Sequence, residues 1–465
     1  MDVTVLFDPE LMRRYDREGP RYTSYPTALQ FREDLSPDAY QRASAASAGA
    51  RDSSPLSVYM HVPFCQSPCF YCGCNKIITR QMHRAEEYVG DLIAEIGMRS
   101  ACFASGREVE QLHFGGGTPT YLTPGQLSLV LGELGRRFSL SGAPSRDYSI
   151  EIDPRTVDEE YLEALVQFGF SRISLGVQDF DARVQHAINR TQPPALVARL
   201  LKVARALGLR SINFDLIYGL PLQTLATFAV TLDEVIGMRP DRLAVYGYAH
   251  MPRLFKGQNQ IKAANLPDAR LRLSLLQLAV EKLSAAGYVY IGMDHFALPE
   301  DSLACAQRDG TLHRSFQGYT THASRDLVSF GVSAIGQVGT LYIQNHKHLP
   351  QYQEAVRHGV LPSQRGVAMT AEDILRRDVI QQLMCHGDVD FAMTEARHGI
   401  CFAEHFRDEL DCMQVLAADG LVRCEPGRIR LTAAGRMLMR NVAMVFDAYA
   451  RPAASDAAPP MSRVI

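Results

Sequence analysis

The hydrophobic pattern between residues 56 and 250 alternates two kinds of segment. Short runs rich in β-branched residues are separated by longer stretches in which apolar residues recur every three and four positions. This alternation predicts a parallel sheet covered by helices. The predicted strands have the sequences SVYMHV, EQLHFG, DYSIEID, RISLGV, SINFDLIYG and RLAVYGY. The predicted helices have the sequences AEEYVGDLIAEIGMRS, PGQLSLVLGELGRRF, EEYLEALVQFGF, ALVARLLKVARALG and LATFAVTLDEVIG.

The segments on either side of this alternation have a different character. Before the first strand, the polar, Ala/Ser-rich stretch QRASAASAGARDSSP predicts a loose linker or a frayed helix. After residue 260 the pattern becomes mostly helical, and residues 401–450 predict a helix, a hairpin at a Pro-Gly turn and a second helix. That order is typical of a winged helix. The final stretch RPAASDAAPP predicts a flexible tail.

Composition and charge narrow the class of protein. The 465 residues are 46% hydrophobic and 21% charged, which is typical of a soluble globular chain with two or three domains. The net charge of −3, and the rough balance of acidic and basic residues across 404–447, argue against nucleic-acid binding. No run approaches the roughly 20 apolar residues of a membrane span.

The N-terminus and the cysteines bear on the compartment. The first residues, MDVTVLFDPELMRR, carry acids within their apolar part and lack a small-residue cleavage site, so we expect no secretory signal. We therefore expect a cytoplasmic protein whose ten cysteines stay reduced, which suits a metal cluster better than a disulfide framework.

The run CQSPCFYCGC contains the most informative spacing in the chain. Cys65, Cys69 and Cys72 form a C-x3-C-x2-C pattern, and three thiolates can hold a cubane iron–sulfur cluster while its fourth iron stays open. The cofactor that uses such an iron is S-adenosylmethionine (SAM), which chelates it through its amino and carboxylate groups. A four-cysteine zinc site that includes Cys74 is the alternative, although zinc sites usually divide into two separated C-x2-C pairs. The closeness of Cys74 to Cys72 favours a role beside the cluster or on the substrate side.

Two further positions at predicted strand ends carry chemistry. Gly115, Gly116 and Gly117 let a ligand approach bare backbone, whose carbonyls can accept hydrogen bonds from the SAM ammonium. The motif is not a dinucleotide fingerprint, because G-x-G-x-x-G is absent. Glu151 lies near the end of a strand, where an unpaired buried charge is costly, so a ligand partner would offset its burial.

Longer motifs carry a resemblance to a known family. They run from RYTSYPTA at Arg21 through YMHVPFCQSPCFYCGCNK, FGGGTPT, GVQDF, NFDLIYGLP, IGMDHFA and FQGYTTH to the final SRVI. Over nearly its whole length the sequence resembles the oxygen-independent coproporphyrinogen III oxidases, a radical-SAM family of haem synthesis. The resemblance implies an α/β fold, namely a partial (β/α)6 radical-SAM barrel with an N-terminal extension and a mostly helical C-terminal domain.

The resemblance also suggests how the chain divides. Residues 1–50 would form an N-terminal extension that covers the substrate, and residues 51–260 would form the core of the partial barrel. Residues 261–370 would complete and connect the barrel. Residues 371–465 would form a helical domain, which the local pattern makes winged-helix-like.

Roles for individual residues follow from the same resemblance. Cys65, Cys69 and Cys72 would bind a [4Fe-4S] cluster, with Gln317 and Cys74 close to the reacting groups. Two SAM molecules would lie side by side. The residues that would contact them are Tyr59, Tyr71, Glu151 and Ile335 for the first or its adenine, and Gly116, Gly117, Thr118, Gln178, Arg190, Asp215 and Ala249 for the second.

Some of these residues have a simpler interpretation. Tyr71 could be an ordinary packing residue. Arg190 and Asp215 could form an internal salt bridge that only joins two units of the barrel, since structural ion pairs are common.

The implied reaction is the oxidative decarboxylation of two propionates of coproporphyrinogen III to vinyl groups, which gives protoporphyrinogen IX. A 5′-deoxyadenosyl radical from SAM would remove a hydrogen atom from the β-carbon of a propionate, and carbon dioxide and one electron would then leave. A flavodoxin- or ferredoxin-like donor would reduce the cluster, a further acceptor would take the final electron, and the chain would act as a monomer. The propionates call for cationic partners, and the candidates in or near the motifs are Arg21, Lys76, Arg80, His313, Arg314 and His322.

Two alternative functions remain open on the sequence. The first is the haem-chaperone branch of the same superfamily, which shares the barrel and the cysteine triad; Cys74, the RYTSYPTA segment and the long C-terminal region argue against it. The second is a redox-sensing regulator whose winged helix binds nucleic acid, and the balanced charge argues against that one.

Overall fold

The computed structural model describes residues 5–36, 38–51, 54–104, 106–322 and 326–450. The predicted flexible tail and the final SRVI motif lie outside these residues. None of the helices in the described ranges combines the length and the apolar character needed to span a membrane.

Short strands are distributed along most of the chain. They are β1 (Leu56–Val62), β2 (Phe64–Cys65), β3 (Ile77–Ile78), β4 (Glu108–Gly116), β5 (Ser139–Leu140), β6 (Asp147–Ile152), β7 (Arg172–Gln178), β8 (Ser211–Tyr218), β9 (Arg242–Gly247), β10 (Val289–Gly292), β11 (His295–Ala297), β12 (His313–Ser315), β13 (Gly318–Thr320), β14 (Leu327–Phe330), β15 (Ile335–Val338), β16 (Leu341–Asn345), β17 (Ser363–Ala368), β18 (Asp388–Asp390), β19 (Val422–Glu425) and β20 (Arg428–Leu431).

Helices connect most of these strands. They are α1 (Pro9–Arg14), α2 (Ala39–Arg51), α3 (His83–Ser100), α4 (Pro124–Arg137), α5 (Glu159–Gln167), α6 (Ala182–Ala187), α7 (Pro194–Ala206), α8 (Leu225–Met238), α9 (Ala269–Ala285), α10 (Ser302–Arg308), α11 (Leu349–Arg357), α12 (Ala371–His386), α13 (Phe391–His398), α14 (Phe402–His405), α15 (Arg407–Ala418), α16 (Ala433–Met437) and α17 (Met439–Ala443).

One long sheet organises the molecule. Six strands pair in parallel in the order β1-β4-β6-β7-β8-β9, and these are the six strands predicted from the hydrophobic pattern. The five predicted helices are observed as α3, α4, α5, α7 and α8. Six consecutive parallel units form an open path and not a closed eight-stranded ring. The predicted partial barrel is confirmed.

The local sequence explains where the covering helices begin. Thr123 caps α4, because its hydroxyl accepts from the Gln126 backbone N–H while the Gln126 side chain accepts from the Thr123 N–H. Thr224 and Thr227 form the same reciprocal pair at the start of α8. Such boxes satisfy backbone donors that the first helical turn leaves unpaired. They fix the point at which each connection leaves its strand and returns along the sheet.

Both ends of the parallel region are extended by further strands. Beyond β9, the hairpin β10–β11 pairs antiparallel through β11. Beyond β1, strand β14 pairs in parallel, and β15, β16 and β17 follow it in antiparallel order. The expectation that the chain turns mostly helical after residue 260 is therefore wrong for residues 261–370. These strands have three to six residues and several are wholly buried, so they lack the alternation that identifies a strand.

The predicted linker QRASAASAGARDSSP is mostly helical. It supplies most of α2, which packs against β15 and β16. Tyr40 anchors the helix, since its side chain is buried and the Arg99 guanidinium carbon lies 4.7 Å from the centre of its ring. The stretch is thus an ordered helix for most of its described length.

The C-terminal region is built on helices with a small sheet of its own. The strands pair antiparallel in the order β18-β20-β19, and α13, α14 and α15 lie between β18 and β19 along the chain. The N-terminal segment docks here. The Tyr22 hydroxyl donates to the Asp447 carboxylate at 2.9 Å, and the Arg440 Nε donates to the Pro20 carbonyl at 3.0 Å. The N-terminal segment and the C-terminal region are therefore joined by hydrogen bonds from buried side chains.

A buried ion pair joins the barrel to the strands that extend it. The Glu95 carboxylate in α3 accepts from Arg99 Nε at 2.8 Å, and both side chains are almost completely buried. Glu95 also accepts from the Asn345 amide, the Tyr352 hydroxyl and the Gly331 backbone N–H. Because these donors come from the region after β14, this carboxylate holds several segments at once.

Replacing Glu95 with alanine should lower the free energy of unfolding by about 3–5 kcal/mol, because Arg99 would remain as a buried, unpaired charge. Urea denaturation monitored by circular dichroism would measure the change. Glu87→Ala is the matched control, since Glu87 lies on the same helix and its side chain is 58% exposed. Equal shifts in the two variants would contradict the importance of the buried network.

Candidate active site

A cavity of about 430 Å³ lies at the carboxyl ends of the parallel strands. Parallel strands end at the same edge of a sheet, which is where barrel enzymes keep their reactive groups. Most of the residues proposed from the sequence converge on this cavity. Those that line it are Cys65, Cys69, Tyr71, Cys72, Cys74, Gly116, Gly117, Thr118, Glu151, Gln178, Arg190 and Asp215.

Each sulfur of the triad accepts a hydrogen bond from a neighbouring group. The Thr118 hydroxyl donates to Cys65 Sγ at 3.3 Å, and Arg190 Nη1 donates to Cys69 Sγ at 3.4 Å. The backbone N–H of Cys74 donates to Cys72 Sγ at 3.4 Å. Donors aimed at sulfur stabilise thiolates and tune the clusters that thiolates hold. The surroundings of the three thiols therefore fit an iron–sulfur cluster.

The thiols differ in their electrostatic environment. Burial raises the pKa of Cys65 to about 11, whereas the hydrogen bond from Cys74 lowers the pKa of Cys72 to about 6. No group of three or more His, Cys, Asp or Glu side chains in the described ranges is arranged to hold one metal ion. A cubane cluster does not require such a group, because each thiolate binds a different iron.

Cys74 lies at the rim of the same cavity. It is exposed, and its hydrogen bond with Cys72 raises the pKa of the Cys74 thiol well above the usual value. The placement favours a role beside the cluster, and that role stays a prediction.

The glycine run fits the cavity wall only because it lacks side chains. A Cβ atom on Gly117 would lie 2.6 Å from the Pro63 carbonyl oxygen, and one on Gly116 would lie 2.7 Å from Cε1 of His61. Gly116 also has a φ of +117°, which side-chain-bearing residues rarely adopt. Close packing against Pro63 and His61 therefore excludes a side chain at Gly117 and Gly116, the two glycines of the run that line the cavity.

Glu151 faces the cavity and is not deeply buried. Its side chain is 44% exposed, so the expected cost of an unpaired buried charge is smaller than the sequence suggested. Its carboxylate accepts from the Gly116 N–H at 3.1 Å and lies 3.4 Å from His113 Nε2. The ring of Tyr59 stacks on His113 with centroids 5.9 Å apart, one layer deeper in the barrel. The charge of Glu151 is thus available to a cationic ligand.

Arg190 and Asp215 do not form the salt bridge considered above. Arg190 is buried, and its Nη1 lies 3.1 Å from the Asp153 carboxylate, which also pairs with Arg155. Its Nη2 donates to the Gly176 carbonyl at 2.8 Å. These contacts bind the guanidinium to the cysteine loop and to two strands of the barrel.

Asp215 has only neutral partners. Its carboxylate accepts from the Ser174 hydroxyl at 2.9 Å and from the Asn213 amide at 2.8 Å. Burial raises its pKa to about 6, and the negative charge of Glu151 acts in the same direction. Gln178, at the end of the neighbouring strand, has a φ of +67°, which is a strained backbone for a residue other than glycine. Both residues are held towards the cavity.

Tyr71 and Ala249 are joined by one side chain. The Gln258 amide donates to the Tyr71 carbonyl at 2.9 Å and to the Ala249 carbonyl at 3.1 Å. The ring of Tyr71 packs against the apolar cluster that contains Ile188 and Ile217. Tyr71 therefore does pack, and it also lines the cavity where an adenine could lie.

Four of the proposed residues do not line the cavity in the described structure: Tyr59, Ala249, Gln317 and Ile335. Ile335 lies in β15, two strands from Tyr59, beside the small apolar cluster of Phe31, Tyr342 and Met369. Gln317 lies in the turn between β12 and β13, and its amide nitrogen is buried without a hydrogen-bond partner. Their contact with SAM or substrate stays a prediction.

The proposed propionate partners are not gathered in one place. Lys76 lines the cavity and donates to the Cys72 carbonyl at 2.8 Å, whereas Arg80 is exposed. Arg21 lies over Tyr246 with its guanidinium carbon 5.6 Å from the ring centre. The other three line a second cavity of about 670 Å³, and they are His313, Arg314 and His322.

Several residues of the site were missed in the sequence. Asp153, Arg155, Ser174 and Tyr246 all line the cavity. Asp153 follows Glu151 by two positions, and residues two apart in a strand point to the same face. That spacing was a usable signal for Asp153, and the position of Tyr246 near the end of the last predicted strand was another.

Comparison with known proteins agrees with this geometry. The sequence model of the Radical SAM superfamily matches residues 59–235, and that of the HemN C-terminal domain matches residues 369–438. The open parallel barrel, the cysteine triad at its carboxyl edge and the first of these matches define a radical-SAM protein.

The particular family follows from relatives that match nearly the whole chain. The oxygen-independent coproporphyrinogen III oxidase of Pseudomonas aeruginosa is 49% identical over 446 residues, and that of Escherichia coli K12 is 47% identical over 445 residues; each match covers 96% of both chains. The solved structure of the coproporphyrinogen III oxidase HemN from Escherichia coli, described as a radical SAM enzyme, superimposes with a TM-score of 0.91 at 45% identity, over 96% of this chain and 100% of that one. The chain belongs to the oxygen-independent coproporphyrinogen III oxidase family.

Replacing Asp215 with asparagine should stabilise the protein at neutral pH. The pKa of Asp215 rises from 3.8 to about 6 on folding, so the ionised carboxylate opposes folding above pH 6, and the effect disappears below pH 4. The gain at pH 7.5 should be at most about 3 kcal/mol. Melting temperatures of both proteins across this pH range would measure it.

Asp233→Asn provides the control, because the Asp233 side chain is 61% exposed and pairs with Lys282. The melting-temperature difference between Asp233→Asn and the unmodified protein should not change with pH in the way expected for Asp215→Asn. A melting-temperature difference for Asp215→Asn that stays constant from pH 4 to pH 7.5 would contradict the raised pKa.

Proposed function

We propose that this protein is a radical-SAM oxidoreductase that converts two propionates of coproporphyrinogen III to vinyl groups and so forms protoporphyrinogen IX. The observation that carries the proposal is the convergence of the cysteine triad, the glycine run and Glu151 on one cavity at the carboxyl edge of the barrel. The family supplies the substrate, since its members are named for this oxidation. The same family membership favours the oxidase over the haem-chaperone alternative.

Cys65, Cys69 and Cys72 would hold three irons of a [4Fe-4S] cluster. Their hydrogen-bond donors Thr118 and Arg190 would lie next to it. A cluster held by three thiolates carries net negative charge, and a buried guanidinium beside Cys69 offsets part of that charge. Arg190 therefore supports both the shape of the cysteine loop and the charge of the cluster.

The rest of the cavity suits SAM. Glu151 offers a carboxylate to a ligand whose sulfonium and ammonium are both positive, and the glycine run lets the ligand lie against backbone. We assign the first SAM to Tyr59, Glu151 and Ile335, with Tyr71 beside an adenine. The second SAM is assigned to the residues across the cavity, which are Gly116, Gly117, Thr118, Gln178, Arg190, Asp215 and Ala249.

Held by Cys65, Cys69 and Cys72, the reduced cluster together with SAM would supply the radical chemistry for this oxidative decarboxylation. The protein has to position the substrate and exclude water from this chemistry. Gln317 and Cys74 are the side chains that we place nearest the substrate. The buried, unpartnered amide of Gln317 is a free hydrogen-bond donor that such a role would use.

Electron transfer requires partners from outside the chain. We propose a small donor of flavodoxin or ferredoxin type that reduces the cluster, and a separate acceptor that takes the electron released with carbon dioxide. The exposed Cys74 at the cavity rim indicates that the cysteine loop lies near the surface. We expect the chain to do this as a monomer.

The N-terminal extension, residues 1–50, is proposed to cover the substrate together with the helical C-terminal region. Two contacts support this arrangement. Arg21 reaches Tyr246 at the cavity wall, and Tyr22 is bonded to Asp447 in the C-terminal region. The division of the rest into a barrel core (51–260), a completing region (261–370) and a C-terminal domain (371–465) stays part of the proposal.

The function can be tested by anaerobic reconstitution with iron and sulfide, followed by incubation with SAM, a reductant and coproporphyrinogen III. Protoporphyrinogen and 5′-deoxyadenosine should form together. Cys65→Ala, Cys69→Ala and Cys72→Ala should each lose the cluster and all activity, because two thiolates cannot hold a cubane. Iron content and visible absorbance would be measured beside activity.

Cys74→Ser is the matched control for the triad. It should keep the iron content and the visible absorbance of the reconstituted protein. Loss of iron to the level of the triad variants would instead make Cys74 a ligand. Stoichiometric zinc without iron in protein prepared under anaerobic, iron-replete conditions would overturn the radical-SAM assignment.

The second SAM site should be separable from the first. Gln178→Ala should retain the cluster and one bound SAM while substrate turnover falls by about 5- to 150-fold, since a lost polar contact in a closed site costs about 1–3 kcal/mol. Equilibrium binding of SAM and the rate of product formation would be compared. Unchanged turnover with a full complement of SAM would show that Gln178 only braces the strand end.

A further inference from the structure

Three arginine side chains meet beside the active-site cavity, because Arg314 Nη2 lies 3.4 Å from the Arg21 carbonyl and Arg440 Nε donates to the adjoining Pro20 carbonyl. Arg21 comes from the N-terminal segment, Arg314 from β12 and Arg440 from α17, and all three act electrostatically on Asp294 in the turn between β10 and β11. Arg314 and Arg440 are at most 6% exposed. Arg21 Nη2 lies 3.9 Å from the Asp294 carboxylate. Three separate segments of the chain thus bring positive charge to one place.

Of the three arginines, Arg314 has guanidinium donors that lack an acceptor. Its Nη2 lies 3.4 Å from the Arg21 carbonyl, but its Nε and Nη1 are buried with no hydrogen-bond partner. The guanidinium carbon stands 4.7 Å from the ring centre of Tyr319. A buried charged donor without a partner is costly, because it has lost its water without replacement. The site is therefore built for an acceptor that comes from elsewhere.

The other groups around the arginines do not cancel the charge. The pKa of His295 falls to about 4, because burial and the positive charges of Arg314 and Arg21 all oppose its protonation. Burial and the same two arginines also lower the pKa of Arg440 to about 10, so it remains positive at neutral pH. With Asp294 ionised, the cluster has a net charge of about +2. An anion is the ligand that this environment favours.

The cluster stands within reach of the substrate. Tyr246, which lines the active-site cavity, is in contact with Arg21 and has its ring 5.8 Å from that of His295. Arg314 also lines the second cavity, of about 670 Å³. The arginines therefore lie between the two cavities, one aromatic side chain from the groups that hold SAM.

We propose that Arg21, Arg314 and Arg440 form a binding subsite for a carboxylate of the porphyrinogen, and that this carboxylate belongs to a propionate that is retained in the product. The inference rests on the proposed function. Carbon dioxide leaves a reacting propionate as its carboxylate loses negative charge, so strong pairing with guanidinium would oppose the step. A propionate that does not react gains only affinity and orientation from the same pairing.

The test uses reconstituted protein and anaerobic equilibrium dialysis with coproporphyrinogen III, which has four propionates, and protoporphyrinogen IX, which keeps two. Arg314→Met should weaken the binding of both by a similar factor of about ten to a hundred, the range expected when one or two charge-assisted hydrogen bonds are lost. Arg314→Lys should recover part of the affinity. Arg308→Met, at an exposed arginine beside Asp309, should bind like the unmodified protein.

Arg21→Met keeps the test valid if Arg314→Met fails to fold. The Arg21 side chain is 37% exposed, and its removal leaves no buried partner unsatisfied. It should weaken binding of both porphyrinogens in the same direction. Normal affinity in both Arg314→Met and Arg21→Met would overturn the subsite. Weaker binding of coproporphyrinogen alone would assign the arginines to a propionate that reacts, and overturn the proposal as stated. Failure of the unmodified protein to bind or convert coproporphyrinogen would overturn the proposed function itself.

Discussion

The parallel pairing of β1, β4, β6, β7, β8 and β9 is the constraint on which the site depends. Because the strands run in the same direction and side chains alternate between faces, residues two apart share the lumen and residues at the strand ends share the rim. Glu151, Gly176 and Asp215 reach one cavity from three strands for this reason alone. A slip of one residue in any strand would turn its lumen side chains outwards.

Charge is the second organising factor, and it is divided between two regions. At the rim, the Glu151 carboxylate faces open space in the cavity, while Arg190 is held by Asp153 beside the cysteine loop. On the far side of Tyr246 the net charge is positive, and it comes from Arg21, Arg314 and Arg440. The cationic cofactor would thus face the negative charge of Glu151, and the anionic substrate would face the positive charge of the arginines. Such complementarity orients both ligands before any reaction takes place.

The sequence was most informative where the local pattern is long and strong. The six barrel strands were found because helices with clear periodicity separate them, and the cysteine loop because its spacing has few interpretations. The strands after residue 260 were missed because they are short and buried, as Leu327–Phe330 illustrates. The pairing of Arg190 with Asp153 in place of Asp215 depends on how the loop after β7 folds back, and no local pattern encodes that distance. The cluster of Arg21, Arg314 and Arg440 is equally hard to find in the sequence, since its members lie more than a hundred residues apart.

The contact between the N-terminal segment and the C-terminal region suits the need to keep solvent out of the site. An open barrel that generates a carbon radical needs its open side covered, since water and oxidants would otherwise reach the reaction. Here the N-terminal segment is tied to the C-terminal region through Tyr22 and Asp447, and the adjoining Arg21 reaches the cavity wall. In the proposed arrangement the covering N-terminal segment carries Arg21, so binding of an anionic substrate would tighten this segment over the barrel. Substrate binding and exclusion of solvent would then be one event, and the radical would be formed in a closed site.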